Sequence, residues 1–494
     1  MGNYLCGMAK TNMSQSATSS ATRPMCLTTQ SPANPTISPN GTPINNLPTE
    51  VLSRIFELFV FDEYCRQRQD LSTGRPTYPN NLGEVCSSWH LIVSNTPILW
   101  SYIDLIASGA GSSAFYTRAS HFLKLCPATP LFVRIRGHNG SSPDDADRVV
   151  QWLTPVITRI YSLELSLCIP ITDVILNLWF NRGLPGSIKE LTLNRSRPRP
   201  SYIIPSSSLV SDDHPLDLSP RRLTEFFGPL TALTLCGTFF PWNSRTFCGL
   251  TYLNLREGRI TEGGLVTILV NSPQLHTFFF GLELGADPYS IEISQRPAPL
   301  PNIQVLDISS NYYDEDFPRR VLQLFMPGAR TLRFSLNAYD DQMQLLAEGN
   351  IFETFLQMSH ITCMNLNQAA RANRQRNCLQ VVNLLAKAPF LRELHLAGFS
   401  FLESGPQPEG NKLHQGLKEF SLLACSLRQD TLEALVKMFS PKILKISRCQ
   451  VLSNRDNRPV KHEHIIGILS QITSVVEVPG EKDQFYRLGS WQLS

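Results

Sequence analysis

The closest grouping of residues able to hold a metal or move a proton is His462-Glu463-His464. An HxH pair offers two imidazole ligands, and zinc sites use three or four protein ligands. A solvated polar turn is the better reading, and no metal is expected. Asp144, Asp145 and Asp147 follow Ser141-Ser142-Pro143. Acids just inside a helix start are favoured by its dipole, so these three read as a helix N-terminus rather than as paired catalytic carboxylates. The chain has no GxSxG elbow, no phosphate-cradling glycine loop followed by Lys, no HExxH and no GxGxxG fingerprint. No catalytic residue is assigned, no cofactor is expected, and the chain is not expected to be an enzyme.

The bulk numbers exclude further classes. With 44 basic and 41 acidic residues the net charge is +3. That balance gives no electrostatic footprint for nucleic acid. The densest basic stretch, RSRPRP at 195–200, sits among prolines and reads as a loop. The 12 cysteines form no CxxC pair. They read as reduced thiols used as small hydrophobes, in a cytoplasmic or nuclear protein. No apolar run approaches the ~18 residues of a membrane span. The start MGNYLCG carries Gly2 and Cys6, but Cys6 stands where a myristoylation motif has Ser or Thr, so an unmodified start is the simpler reading.

Along the chain, residues 1–43 are rich in Ser, Thr, Pro and Asn and bury too little to offset their ordering entropy. Structure is expected from Ile44. The stretch INNLPTEVLSRIFELFV opens a helix after Leu47-Pro48, with Glu50 at its positive end. Val51, Leu52, Ile55, Phe56 and Phe59 fall on one face. Leu58, Val60 and Phe61 widen the apolar stripe beyond the ~100° that a single core contact needs, which asks for a second surface. Leu82, Val85, Trp89, Ile92 and Val93 recur at helical spacing up to Thr96-Pro97. This gives a helical module over 44–106 and a connecting segment over 107–156.

From about 157 to 480 the chain repeats. A template of apolar, two variable, apolar, one variable, apolar recurs from Ile160-Leu163-Leu165 through Leu253-Leu255, Phe278-Phe280, Leu306-Ile308, Ala329-Leu332-Phe334 and Leu394-Leu396 to Val476-Val478. The average spacing is about 28 residues, inside the leucine-rich-repeat range. Helix-like segments ending in Ser-Pro or Ala-Pro precede several copies. The expected fold class is α/β: a small all-α module followed by a curved leucine-rich-repeat solenoid, with 481–494 as a tail or cap.

Leu47-Pro48, Ile55-Phe56, Val85-Cys86, Trp89, Pro97 and Leu99-Trp100 stand in an order that resembles an F-box, and with the repeats the chain resembles the fungal-type F-box proteins. The resemblance implies that one helix face docks on a Skp-family adaptor, which links to a cullin–RING ubiquitin ligase. It assigns docking to Leu47, Pro48, Val51, Leu52, Ile55, Phe56, Val85, Cys86 and Trp89, with Trp89 equally readable as module core. Substrate choice then falls to strand positions that alternate outward: Asn254, Arg256, Asp307, Arg333, Asn365, His395 and Lys445, with Glu164, Ser309 and Ser447 beside them. The implied function is the substrate-recognition subunit of such a ligase, with an unknown protein substrate. The alternative is a stand-alone leucine-rich interaction scaffold whose F-box no longer binds. Solubility of the 44–106 module without a partner separates the two.

Overall fold

The computed structural model describes residues 44, 47–67, 76–109, 111–137, 143–194, 201–202, 220–239, 247–285, 297–310, 314–339, 342–343, 345–346, 350–369, 385, 388–402, 416–454, 458–460, 462–470 and 475–477. The readings made for 1–43, for RSRPRP and for 481–494 fall outside them. The chain divides into two compact units, Met1–Leu52 and Ser53–Ser494.

In the first unit the helix start is visible. The Pro48 carbonyl accepts from the backbone N–H groups of Val51 and Leu52, both at 3.1 Å. Proline loses nothing there, because the first N–H groups of a helix have no intrahelical acceptor. Glu50 lies in the first turn of the helix Thr49–Arg66.

The second unit overturns the expected architecture. Among the described residues, fourteen strands form one parallel sheet, in strict chain order, from Tyr102–Ile106 to Val475–Glu477. The first strand lies inside the segment assigned to an all-α module. The second, Leu131–Arg136, lies inside the segment assigned to a connection. An independent helical module followed by a curved leucine-rich-repeat solenoid is therefore not what forms; helices and sheet share one α/β unit. The physical reason is visible in these two strands. Tyr102–Ile106 is buried on both faces, and in Leu131–Arg136 the charged Arg134 is fully buried. Ile103-Asp104-Leu105 and Val133-Arg134-Ile135 alternate as a half-buried strand does, but their polar side is covered too: Arg134 reaches the Tyr64 carbonyl at the end of the first helix.

Two other expectations change. The single helix read over 82–93 is two, Asn80–Gly83 and Ser87–Ser94. Val85 lies in the break between them and is 60% exposed. The repeat copy read at Ala329-Leu332-Phe334 is two residues out of register. Leu306 pairs with Phe334 and Ile308 with Leu336. A two-residue slip keeps every side chain on its face, so the apolar pattern alone does not detect it.

One face of the sheet is the core. Rows such as Leu253-Phe278-Leu306-Phe334-Met364-Leu394-Phe420-Leu444 run across it through the paired strands, and each member is at most 1% exposed. Helical aromatics close over this face: Phe317 on Phe280 at 5.9 Å between ring centroids, Phe355 on Phe334 at 5.3 Å, and Phe439 on Phe420 at 5.3 Å. Trp179 gathers Phe180, Phe226 and Phe227 within 5.6 Å. Asp144 and Asp145 lie in the first turn of the helix Pro143–Leu153. Among the described residues, no helix is long and apolar enough to cross a membrane.

Candidate functional site

Within the second unit the first helix carries two sets of apolar side chains. Phe56, Val60 and Tyr64 repeat every four residues, share one face, and are at most 5% exposed. Phe56 packs on Trp89 with ring centroids 4.6 Å apart, and Tyr64 on Tyr102 at 5.2 Å. Ile55, Leu58, Phe59 and Phe61 remain 37% to 55% exposed. On the helix Ser87–Ser94, Ile92 and Val93 are buried and Leu91 is 64% exposed. In the first unit, Leu47, Pro48 and Val51 are exposed and Leu52 is buried.

Of the residues assigned to docking, then, Leu47, Pro48, Val51, Ile55, Val85 and Cys86 present surface. Trp89 is half-buried. Leu52 and Phe56 are core and offer a partner nothing in the folded chain. Leu58, Phe59, Phe61 and Leu91 are exposed as well and lie outside the residues that the resemblance assigns to docking. Leu58 and Phe61 had a signal, since they widen the stripe; so did Val60, which turns out fully buried. Leu91 had little, because it sits next to the buried pair Ile92-Val93.

The other end of this helix is held by two arginines of the sheet. Arg134 Nη2 donates to the Tyr64 carbonyl at 2.7 Å, and Arg136 Nη2 to the Gln67 carbonyl at 2.6 Å. Cations at a helix C-terminus satisfy orphan carbonyls and suit the dipole. Arg134 also meets Asp104 at 3.3 Å and Glu164 at 3.2 Å, and lies 3.8 Å under the Tyr64 ring. Burial alone would lower its pKa; the facing Tyr64, Glu164 and Asp104 outweigh that and raise it. Tyr78 donates its hydroxyl to Asp104, and burial together with that carboxylate pushes the phenol pKa well up.

The second surface is the sheet face opposite the core. Register places Asn254, Phe279, Asp307, Ser335, Asn365, His395, Ser421 and Lys445 in one row across it. Arg256 and Arg333 occupy the rows on either side. The seven residues assigned to substrate contact therefore share a face. They do not converge on a point, and several are shut away from water. Asp307 and Asn365 are 3% and 4% exposed, because strands ~4.8 Å apart flank each side chain with neighbours on both sides.

Among the described residues, polar clusters gather on this face. Arg256 Nε donates to Asn254 Oδ1 at 3.1 Å and approaches Asp307 at 3.8 Å. Burial raises the Asp307 carboxyl pKa, opposed by Arg256 and by hydroxyls of Ser335 and Ser309. Farther along, Glu419 accepts from Lys445 at 2.9 Å and from Ser421 at 3.0 Å. Burial would raise its carboxyl pKa; those two donors hold it below the usual range. His395 Nδ1 lies 4.0 Å from Glu419. His464 is exposed on the helix His462–Leu469.

No protein-family model matches the chain, and no curated protein matches it.

Proposed function

We propose that this chain is a substrate-recognition subunit of an SCF-type cullin–RING ubiquitin ligase. The observation that carries the reading is the apolar surplus on the first helix. Ile55, Leu58, Phe59 and Phe61 stay exposed while Phe56, Val60 and Tyr64 supply the packing. Apolar groups concentrated in water mark an interaction surface, and each Leu, Ile or Phe covered is worth roughly 1.5–3 kcal/mol. The occupant is a Skp-family adaptor, as the order Leu47-Pro48, Ile55-Phe56, Val85-Cys86 and Trp89 suggests. The polar face of the sheet takes the protein substrate. The chain does no chemistry; it raises the effective concentration of substrate at the ligase.

Co-expression of the full chain with a Skp-family adaptor tests this. A one-to-one complex is expected, and Leu58→Asp is expected to abolish it while leaving the circular dichroism unchanged. Failure of the native chain to co-purify would overturn the reading and leave an interaction scaffold with no tie to ubiquitin.

A further inference from the structure

Cys363, Glu393 and His395 lie side by side on the polar face, on the adjacent strands Ile361–Ala369 and Glu393–Ala397. Cys363 pairs in register with Glu393, and Asn365 with His395. One ligand atom from each of Cys363, Glu393 and His395 lies within 4.8 Å of the others. A centre among them is therefore within a small side-chain movement of metal–ligand distances of about 2.0–2.3 Å.

A second observation points the same way. The cluster holds buried polar atoms that have no hydrogen-bond partner in the protein. Asn365 Oδ1 and His395 Nδ1 have no hydrogen-bond partner, and Asn365 is 96% buried. A buried polar atom left without a partner is destabilising. A cation removes that cost directly for a ligating imidazole.

We propose that Cys363, Glu393 and His395 form a site for a divalent cation of the zinc class. Sulfur, imidazole and carboxylate are the borderline donor set that zinc takes, and magnesium or calcium would favour oxygen alone. Three protein ligands leave a fourth position for water or for an atom of a partner. The thiol must lose its proton as the sulfur–metal bond forms, so one proton leaves for solvent per cation bound. With the thiolate and the Glu393 carboxylate the dication is neutralised. Without a cation, burial and the Glu393 carboxylate push the Cys363 thiol up to about 12, against the nearby Arg333, so the metal itself must displace the thiol proton. Arg333 and Lys418, which binds Glu393 Oε1 at 3.1 Å, also repel the incoming dication and set the affinity well below that of an all-cysteine site. This site is independent of the adaptor reading.

The test uses the full chain, stripped with a chelator and titrated with Co2+ and then Zn2+. One equivalent of Co2+ is expected to produce a thiolate-to-cobalt charge-transfer band, with a proton released, and Zn2+ is expected to bleach it. Cys363→Ser should lose the band. His395→Gln and Glu393→Gln, at less buried positions, should weaken binding roughly tenfold or more, with unchanged circular dichroism. The His395 and Glu393 variants decide the matter if Cys363→Ser does not fold. Absence of the band, its persistence in Cys363→Ser, or native affinity in both other variants would overturn the site.

Discussion

Arg134 is the residue on which most depends. Its guanidinium is fully buried and touches Asp104, Glu164 and the end of the first helix. Removing one partner of a buried ionic group strands the others without water. Arg134→Ala should therefore cost roughly 3–5 kcal/mol in urea unfolding, and a loss under about 1 kcal/mol would show that the network is solvated. Asp307 gives a pH signature of known sign. Its folded pKa lies above the ordinary 3.8, so between the two values the folded state holds more protons than the unfolded one. Its contribution to stability is thus greatest below 3.8 and declines as pH rises through the folded pKa. Asp307→Asn should remove this decline, read as the difference between the two proteins' unfolding free energies across that window. None of this was legible in the sequence. A charged residue between apolar neighbours reads as solvent-facing, and only the neighbouring strands, far away along the chain, decide that it is enclosed.

At the scale of single elements, the first helix was legible in position and start but not in the division of its faces. The spacing puts Val51, Leu52, Ile55, Phe56 and Phe59 on one stripe; packing divides the second unit's part of it, taking Phe56 in and leaving Ile55 and Phe59 out. The choice depends on where Trp89 and Tyr102 stand, which helical periodicity does not contain. Phe56→Ala should cost about 3–5 kcal/mol. Leu58→Ala should stay within about 0.5 kcal/mol. Equal effects would mean that the exposed residues are packed after all. Tight turns were likewise hidden. Gly398 has φ +75°, and a Cβ there would stand 2.4 Å from the Gln368 carbonyl oxygen. Gly398→Ala should destabilise by more than ~1 kcal/mol, measured by chemical unfolding; a neutral result would mean that the turn relaxes.

For the molecule as a whole, the repeated apolar template located most of the parallel strands, because core rows such as Leu253-Phe278-Leu306 need the same residue types at the same strand positions. It missed the two strands that open the sheet, where Asp104 and Arg134 stand on the polar face but are buried beside the end of the first helix, and so it separated a helical module from a sheet that in fact begins within it. The candidate sites followed the same logic. The pattern reads His395 and Asn365 as outward positions, and Cys363 and Glu393, two residues before them on the same strands, share that face by the period of two. The proposed adaptor-binding surface is the exposed side of the first helix. The most direct measurement is calorimetric titration of the full chain with a purified Skp-family adaptor, for the native sequence, Leu58→Asp and Lys445→Ala. One-to-one binding with a negative heat-capacity change, the mark of apolar burial, is expected, lost in Leu58→Asp and unchanged in Lys445→Ala. Binding that survives Leu58→Asp, or no binding by the native chain, would contradict it.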